Sequence, residues 1–284
     1  MNFSNVIKRF KDLIGIQFVL TKEWNKLPHT KGWRYGKGNA LAVLKPAKLT
    51  QIWKILEICV ESDLIVIMQA ANTGLTGGST PFGSDYDRPI VIINTMRIKD
   101  IHIIKEGSQI VGLTGSTLYG LEKKLKPYGR EPHSIIGSTS IGASIIGGIC
   151  NNAGGSLVQR GPSYTEMALY ARISKTGNLE LVNELGINLG SNPEEILDNL
   201  QNQNYDESDI HETDQLGSDN KYSEIVREID KSTPARYNSD SRLLYGASGS
   251  AGKIAVFAVR LDTYVSPTEN KVFYVGTNNP DVFW

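Results

Sequence analysis

The chain has 284 residues, of which 40% are hydrophobic and 21% charged, and its 30 Lys and Arg residues balance its 30 Asp and Glu residues. A chain of this length and composition can form one large domain or two small ones with a proper core, and its zero formal net charge argues against nucleic acid as a partner. It contains no apolar run long enough to cross a bilayer and no signal-peptide pattern in its first residues, so we predict a cytoplasmic protein.

The N-terminal part of the chain alternates between helix and strand patterns. Apolar residues at helical spacing predict a helix over Asn5–Ile14, and the polar segment Trp24–Asn39 is expected to be a loop that covers part of a ligand site. Short apolar runs predict strands over Ala40–Leu44 and Leu64–Met68, and the amphipathic segment Leu49–Glu61 between them predicts a helix. These three segments make a parallel strand-helix-strand unit, whose crossover is right-handed in nearly all proteins.

A glycine-rich segment, Gln69–Pro81, directly follows the second of these strands. Its glycines, Gly74, Gly77 and Gly78, permit backbone conformations that other residues avoid, and its Asn, Ser and Thr side chains are short hydrogen-bonding groups. Such a loop can place backbone N–H groups around a phosphate at the carboxyl edge of a parallel sheet. The same composition also occurs in ordinary turns, and this segment alone does not decide between the two interpretations.

The middle of the chain is typical of an α+β domain with a mixed sheet. Strands are predicted over Pro89–Asn94, Ile98–Ile104 and Ser108–Leu113, the last two as an antiparallel hairpin. A helix is predicted over Thr117–Lys126, because a Pro and a Gly follow it closely and end the pattern.

A second glycine-rich segment, Ile136–Ser156, contains six glycines, far above their average frequency. Two such segments, each beside apolar residues, suggest two walls of one site for a long phosphate-bearing ligand, and a dinucleotide cofactor fits that description. His133 lies just before the second segment and remains a candidate site residue. The four histidines form no metal-binding pair, so no metal site is predicted.

The C-terminal part of the chain contains a second predicted hairpin, Met167–Ile173 with Leu179–Asn183. The segment Glu194–Asp230 holds twelve acidic residues against two basic ones, which predicts a solvated or partly disordered insertion without a binding role. Two further strands are predicted over Lys253–Thr263 and Lys271–Gly276.

Longer runs of the sequence resemble a known class of flavoproteins. A strand followed by QAANTGLTGGSTP, and later GASIIGGICNNAGGS, is similar to the flavin-binding domain of the vanillyl-alcohol oxidase / p-cresol methylhydroxylase class. More narrowly, the runs REPHSIIGSTSIGASIIGGICNNAGGSLVQRGPSYTEMALYARI, TPARYN and GKIAVFAVRLDT resemble the bacterial quinone-dependent D-lactate dehydrogenases. The likeness extends from about residue 30 to the last residues.

The resemblance implies an α+β fold, namely an FAD-binding domain of the p-cresol methylhydroxylase (PCMH) type with two α+β subdomains. Residues 1–30 would form an N-terminal helix and connection, and residues 31–284 the FAD-binding domain. The first subdomain would cover about 31–95 and the second about 96–284, including the acidic insertion at 194–230. The cap and membrane-binding parts of that family would be absent.

The family binds FAD non-covalently, and its motifs assign cofactor contacts to positions of this chain. The residues that would cradle the pyrophosphate are Ala70, Ala71, Asn72, Thr73 and Gly74, with Gly78 and Ser79 beside them. Those that would line the path of the adenosine and flavin are Gly137, Ser144 and Gly154, and Val256 would contact the cofactor through its backbone. Glycine suits such positions, because a side chain would hold the phosphates away from the backbone donors.

The resemblance also implies an activity. Enzymes of the family oxidise D-lactate to pyruvate and pass the electrons to membrane quinone, as peripheral proteins on the cytoplasmic face of the inner membrane. Their catalytic groups would lie largely beyond residue 284, so no catalytic residue is assigned and the chain is expected to be inactive alone. Two alternatives stay open: a flavoenzyme like UDP-N-acetylenolpyruvoylglucosamine reductase, and a non-catalytic truncated remnant of the flavoprotein.

Overall fold

The structure is a computed structural model that describes residues 3–228, 230, 240–279 and 281, so the motif TPARYN lies outside the described residues. Within these ranges the helices are α1 (Phe3–Ile14), α2 (Glu23–Thr30), α3 (Leu49–Glu61), α4 (Leu118–Leu125), α5 (Ile145–Cys150), α6 (Pro193–Asn202) and α7 (Tyr222–Ile225). The strands are β1 (Val19–Leu20), β2 (Ala42–Leu44), β3 (Ile65–Gln69), β4 (Ile90–Asn94), β5 (Ile101–Ile104), β6 (Gln109–Leu113), β7 (Arg130–Glu131), β8 (Ala168–Ile173), β9 (Leu179–Asn183), β10 (Ala255–Asp262) and β11 (Tyr264–Val265). None of the helices in the described ranges is long and apolar enough to span a membrane. The predicted α+β fold class is confirmed.

The first sheet has four strands in the order β1-β2-β4-β3. Strands β2, β4 and β3 are parallel, and β1 joins the edge of β2 antiparallel. The predicted strand-helix-strand unit is therefore present as β2, α3 and β3, but β4 lies between its two strands. All five residues of β4 are buried, as a central parallel strand requires. The carboxyl ends of β3 and β4 meet at one edge, where Gln69 is paired with Asn94.

The second sheet has five antiparallel strands in the order β5-β6-β10-β8-β9. Both predicted hairpins are present, β5 with β6 and β8 with β9. The central strand β10 is buried along nearly its whole length, which agrees with its almost uninterrupted apolar sequence. Strands β7 and β11 form a separate two-stranded ladder, which was not predicted because two-residue strands carry no periodicity.

One hydrophobic core joins the two sheets. Phe10 of α1, Leu44 of β2, Ile55 of α3 and Phe257 of β10 are all fully buried and belong to the same packed cluster. Burying each such side chain contributes about 1.5–3 kcal/mol. The strands of the first sheet end before residue 95 and those of the second sheet begin after it, but this core includes residues from both parts of the chain. The subdomain boundaries drawn from the sequence stay a prediction.

The predicted loop Trp24–Asn39 is wrong over its first residues, because Glu23–Thr30 forms α2. The glycines that suggested a loop, at 32, 36 and 38, all follow the helix. Lys26 anchors the helix: its side chain is buried, and its Nζ donates to the carbonyl oxygen of Ala40 at 2.6 Å. A tertiary contact of this kind leaves no trace in the hydrophobic pattern.

The acidic segment is not a disordered insertion over its first part, because Pro193–Asn202 forms α6. Asn192 caps the helix by accepting a hydrogen bond from the backbone N–H of Glu195 at 3.1 Å, and proline is well suited to a first helical position. Leu197 and Leu200 are fully buried in the core that contains α3. Two buried leucines therefore hold the helix in place, while the excess of acidic side chains hid this amphipathic pattern.

We predict that Leu197→Ala lowers the free energy of unfolding by about 3 kcal/mol, because it leaves a cavity in the core. Urea-induced unfolding followed by circular dichroism measures the change. The matched control is Glu194→Ala on the same helix, which removes only an exposed ion pair with Lys54 and should cost no more than about 1 kcal/mol. Equal stability of the Leu197→Ala variant and the wild type would show that α6 does not belong to the core.

The predicted strand Lys271–Gly276 is also wrong. The segment is irregular, and Val272, Phe273 and Tyr274 are 77%, 80% and 97% exposed. None of the described strands pairs with it. A strand is stable only when its backbone groups find partners, so an apolar sequence is not sufficient to form one.

Candidate cofactor site

The first glycine-rich segment forms a loop at the carboxyl edge of the four-stranded sheet, directly after β3. Left-handed backbone at Asn72 (φ 55°) and Gly77 (φ 78°) turns the chain, and these are two residue types that tolerate such a conformation. Within the described part of the chain, no backbone N–H group of residues 71–79 donates a hydrogen bond. The loop therefore presents a row of unpaired donors, which is what a bound anion requires.

Three of the predicted glycines have open space where a side chain would be. A Cβ atom placed on Gly74, Gly78 or Gly137 would have no neighbour within 4 Å. None of the three has a left-handed backbone. Neither backbone conformation nor packing within the described chain therefore requires glycine at these positions. A ligand that approaches the backbone closely would require glycine, and a diphosphate is such a ligand.

The other predicted residues of the first segment lie in the same loop. Ser79 closes it by donating from Oγ to Oδ1 of Asn72 at 2.8 Å. The carbonyl oxygen of Ala70 accepts a hydrogen bond from Nδ2 of Asn94 at 2.9 Å, which fixes the start of the loop to the end of β4. The structure thus brings together Ala70, Ala71, Asn72, Thr73, Gly74, Gly78 and Ser79. Their contact with a cofactor stays a prediction.

The second glycine-rich segment contains the short helix α5, which the sequence did not predict. Ser144 is its N-cap, and its Oγ accepts a hydrogen bond from the N–H of Gly147 at 3.0 Å. The hydroxyl of this predicted cofactor contact therefore already has a structural role. In the described part of the chain, the N–H groups of Gly137 and Gly154 donate no hydrogen bond, so both are free for a ligand.

The two glycine-rich segments lie side by side, as predicted for two walls of one site. A Cβ atom placed on Gly142, which has a left-handed backbone (φ 96°), would lie 3.9 Å from the Cβ of Ala71. Beneath this contact, Oγ1 of Thr95 donates to the carbonyl oxygen of Thr114 at 3.1 Å and so joins the end of β4 to the turn after β6. The edges of both sheets therefore lie close together here, and their contribution to one site stays a prediction.

Val256, the last predicted cofactor contact, lies in β10 and is 4% exposed. It packs in a cluster with Ile145 and Ile149 of α5. The pairing of β10 with β6 begins only at Ala258, so the start of β10 extends beyond its neighbour. The side chain of Val256 is occupied by core packing, and its contact with a cofactor through the backbone stays a prediction.

Three polar residues under the first loop were missed from the sequence. Gln69 and Asn94 are 1% and 3% exposed, and Nδ2 of Asn94 donates to Oε1 of Gln69 at 3.3 Å. Nδ1 of His29 lies 2.8 Å from the same oxygen. An amide at the last position of an apolar strand was the available signal for Gln69. His29 carried no signal, because α2 had been taken as a loop.

His133 lies just before the second glycine-rich segment in the chain. It is 5% exposed, and neither of its ring nitrogens has a hydrogen-bond partner among the described residues. Burial, together with the positive charge of Arg160, lowers the pKa of the imidazole to about 4. The ring is therefore neutral at pH 7, and the folded protein disfavours its protonation.

We predict from this geometry that the protein loses stability in weak acid. The pKa of His133 falls from 6.5 to about 4 on folding, so below pH 6.5 the unfolded chain binds the proton more readily than the folded one. The stability from this group is complete above pH 6.5 and declines as the pH falls towards 4, by about 2 kcal/mol at pH 5. Urea unfolding of the wild type and His133→Phe at pH 8 and pH 5 measures it. An unchanged pH dependence in the variant would contradict the prediction.

A family model described as an FAD binding domain matches residues 40–177. This range includes both glycine-rich segments, Gln69–Pro81 and Ile136–Ser156. FAD contains a diphosphate, and the free N–H groups and open glycine positions of these segments fit that group. The match and the geometry therefore agree on the cofactor.

Curated relatives match almost the whole chain. It is 56% identical over 282 residues to the quinone-dependent D-lactate dehydrogenase of Haemophilus influenzae. The aligned residues are 99% of this chain and 50% of that protein. The chain is 54% identical over 280 residues to the enzyme of the same name from Escherichia coli, with 99% of this chain and 48% of that one covered. The relative of that name from Corynebacterium glutamicum is 48% identical over 273 residues, which are 96% of this chain and 48% of the relative. The chain thus spans about half the length of the curated relatives it matches.

Solved structures share the fold at low sequence identity. An alkyldihydroxyacetonephosphate synthase superposes with a TM-score of 0.63 at 12% identity and covers 95% of this chain and 43% of its own. A p-cresol methylhydroxylase with substrate bound superposes with a TM-score of 0.58 at 14% identity, covering 94% of this chain and 44% of its own. Such likeness concerns the fold alone, and together with the family match it confirms the predicted fold of the p-cresol methylhydroxylase type.

Proposed function

We propose that this chain, which is 48–56% identical to quinone-dependent D-lactate dehydrogenases and spans about half of their length, is the FAD-binding part of an enzyme of that family, which oxidises D-lactate to pyruvate and passes the electrons to a quinone. The observation that carries the proposal is 56% identity with a relative of that name over 99% of this chain. Local geometry supports it, because the two glycine-rich segments form adjacent walls with unpaired N–H groups.

We assign the non-covalent binding of FAD to the backbone of the two glycine-rich segments. The N–H groups of residues 71–79 hold the pyrophosphate, and Gly74 and Gly78 let it approach them. The N–H groups of Gly137 and Gly154 bind further along the cofactor. FAD, when bound by these residues, would supply the redox chemistry between the substrate and the acceptor.

Oxidation of D-lactate also needs a base for the hydroxyl proton and a cation for the carboxylate. We place these groups in the half of the relatives that this chain does not span, in keeping with the expectation that they lie beyond residue 284. The chain described here then binds the cofactor without turning over the substrate. The division into residues 1–30 and 31–284, with subdomains that meet near residue 95, belongs to the same proposal.

The proposed acceptor determines where the full-length enzyme works. Respiratory quinones are dissolved in the lipid bilayer, so an enzyme that reduces them has to reach the membrane surface. We therefore propose that the full-length enzyme associates peripherally with the cytoplasmic face of the inner membrane. The segments that make this contact belong, in the proposal, to the half that is not spanned here.

The proposal predicts that the purified chain retains a flavin spectrum after incubation with FAD and gel filtration. Anaerobic D-lactate should not bleach this spectrum, whereas it should bleach that of a chain extended by the second half of the relatives. L-lactate is the matched control for the extended chain. Bleaching of the 284-residue chain would contradict the placement of the base, and absence of flavin from both chains would contradict FAD as the cofactor.

A further inference from the structure

We propose that α2 and the following residues 31–38, here called the strap, set the shape of the pyrophosphate loop before FAD binds, and that Gln69 and Asn72 are the positioning residues through which they act. The proposal rests on the proposed FAD function. Both α2 and the strap precede residue 40 and so lie outside the range matched by the FAD-binding family model. A part of the chain beyond the matched domain thus completes its cofactor loop.

Gln69 connects the end of β3 to three other parts of the chain. Its Nε2 donates to the carbonyl oxygens of His29 at 2.8 Å and Ser79 at 2.7 Å. Both amide hydrogens are therefore given to carbonyl groups, and Oε1 faces Nδ1 of His29 at 2.8 Å, which places the imidazole proton on Nδ1. Nδ2 of Asn94 donates to the same oxygen at 3.3 Å. All hydrogen-bonding groups of the Gln69 side chain are used, so the amide is held in one orientation.

Asn72 ties the middle of the loop to the same region. Its Nδ2 donates to the carbonyl oxygen of Lys31 at 2.8 Å and lies 3.4 Å from that of Pro28. Its Oδ1 accepts the hydrogen bond from Ser79. The Asn72 side chain is thus occupied within the protein, and only the backbone N–H of this residue is free for the cofactor.

The carbonyl groups of Pro28, His29 and Lys31 stand at the end of α2 and the start of the strap. The last carbonyl groups of a helix have no partner within the helix. Here the amide side chains of Gln69 and Asn72 are their partners. The helix end and the loop therefore stabilise each other.

The strap packs against the second part of the loop. Gly36 has a left-handed backbone (φ 92°), and a Cβ atom placed on it would lie 2.4 Å from Oγ1 of Thr80 and 3.3 Å from the Cα of Gly77. The rings of Tyr35 and Phe82 stack with their centroids 5.9 Å apart. The strap therefore follows the loop so closely that no side chain fits at Gly36.

The contacts of Gln69, Asn72 and Thr80 fix the loop at its start, middle and end. The N–H groups of residues 71–79 are unpaired in the described chain, and the backbone hydrogen bond found within the loop is that from the N–H of Thr80 to the carbonyl oxygen of Gly77 at 3.2 Å, which is too little to define its shape. Its shape must come from side chains and from packing, and α2 and the strap provide both. A site that is ordered in advance binds more tightly, because less freedom is lost on binding.

The test compares Gln69→Leu with Gln201→Leu in the 284-residue chain. Gln201 is the matched control: its side chain also bonds two backbone groups, the carbonyl of Ala47 and the N–H of Leu49, but it lies between α6 and α3. Gln69→Leu should raise the dissociation constant for FAD about 10-fold or more and shift the ³¹P resonances of the bound pyrophosphate. Gln201→Leu should leave the affinity and these resonances as in the wild type.

A second measurement needs no cofactor. In the FAD-free protein, ¹⁵N relaxation should report rigid N–H groups at residues 70–79, with order parameters of about 0.85, in the wild type and in Gln201→Leu. The same N–H groups should be mobile in Gln69→Leu. Equal rigidity in all three proteins would overturn the proposal, whatever the result with FAD. A wild-type chain that shows the rigid loop but does not bind FAD would instead contradict the proposed binding of FAD by the 284-residue chain, and would leave the role of α2 and the strap in place.

A second variant tests the proposal in case Gln69→Leu does not fold. Asn72→Gly removes the side-chain bonds at a half-buried position and still permits the left-handed backbone. Its control is Thr76→Gly, which adds the same backbone freedom to the same loop but removes none of the bonds to α2 or the strap. Asn72→Gly should lower the order parameters of residues 70–79 and weaken FAD binding more than Thr76→Gly does. An equal effect of the two substitutions would overturn the role of Asn72.

Discussion

Replacing Gly74 by valine should weaken FAD binding about 100-fold and leave the free energy of unfolding within about 1 kcal/mol of the wild-type value. A Cβ atom at this position meets nothing within 4 Å, and the backbone is not left-handed, so the substitution strains no part of the described chain. If the pyrophosphate binds as proposed, the new side chain holds it away from the backbone at this position. It prevents about two charge-assisted hydrogen bonds, each worth about 1.5–3 kcal/mol.

Fluorescence titration of FAD and urea unfolding measure the two effects of Gly74→Val separately. The matched control is Gly276→Val, because Gly276 also has open space around its Cβ position but lies in the exposed C-terminal segment. The control should bind FAD as the wild type does. Wild-type affinity in Gly74→Val would mean that the pyrophosphate does not approach this residue, and the phosphate site would then have to be sought elsewhere.

Helices with a strong hydrophobic pattern were predicted correctly from the sequence, and a helix with a weak one was missed. The helix Leu49–Glu61 has the bounds that were predicted, because seven of its residues are buried and recur at helical spacing. The helix Pro193–Asn202 was missed, because it buries only Leu197 and Leu200 among acidic neighbours. A pattern of two buried side chains is too weak to outweigh composition, although the packing of those two residues decides the structure.

The cofactor loop could be found from composition for a physical reason. Neither packing nor backbone conformation within the described chain requires glycine at Gly74 or Gly78, which agrees with the proposed close approach of a ligand, and several glycines in one short loop stand out in a sequence. The contacts between Gln69 and His29 could not be found in this way. They join residues 40 positions apart, and no local pattern predicts which helix end a strand end will meet.

The role of Ser144 could not be decided from the sequence. The resemblance assigned it to the cofactor path, and the structure adds that its hydroxyl caps α5 by binding the N–H of Gly147. A small polar residue in a glycine-rich segment serves equally well as a cap or as a ligand contact. The sequence identifies the position but does not separate the two roles.

The turn at Gly115 lies between the two walls of the proposed cofactor site. Its N–H donates to the carbonyl oxygen of Ile98 at 2.8 Å, and the neighbouring Ser116 carbonyl accepts a hydrogen bond from the first residue of α5, Ile145, at 3.0 Å. On the other side, the N–H of Thr95 donates to the carbonyl oxygen of Gln69 at 2.8 Å. The start of the pyrophosphate loop and the start of α5 are thus positioned through one turn.

Gly115→Ala should therefore lower the free energy of unfolding by about 3 kcal/mol or more and weaken FAD binding as well. The added methyl group would lie 2.2 Å from the carbonyl oxygen of Thr95 and 2.7 Å from that of Ile98, and these are backbone atoms, which cannot turn aside as the end of a flexible side chain can. Gly148→Ala is the graded control, because its methyl group would meet only the side chain of Ser163, at 3.3 Å, and alanine favours the helix. Urea unfolding and FAD titration of both variants measure the effects. A Gly115→Ala variant as stable as Gly148→Ala would show that the turn can change its backbone conformation without loss of stability. The two walls of the site would then be positioned independently of each other.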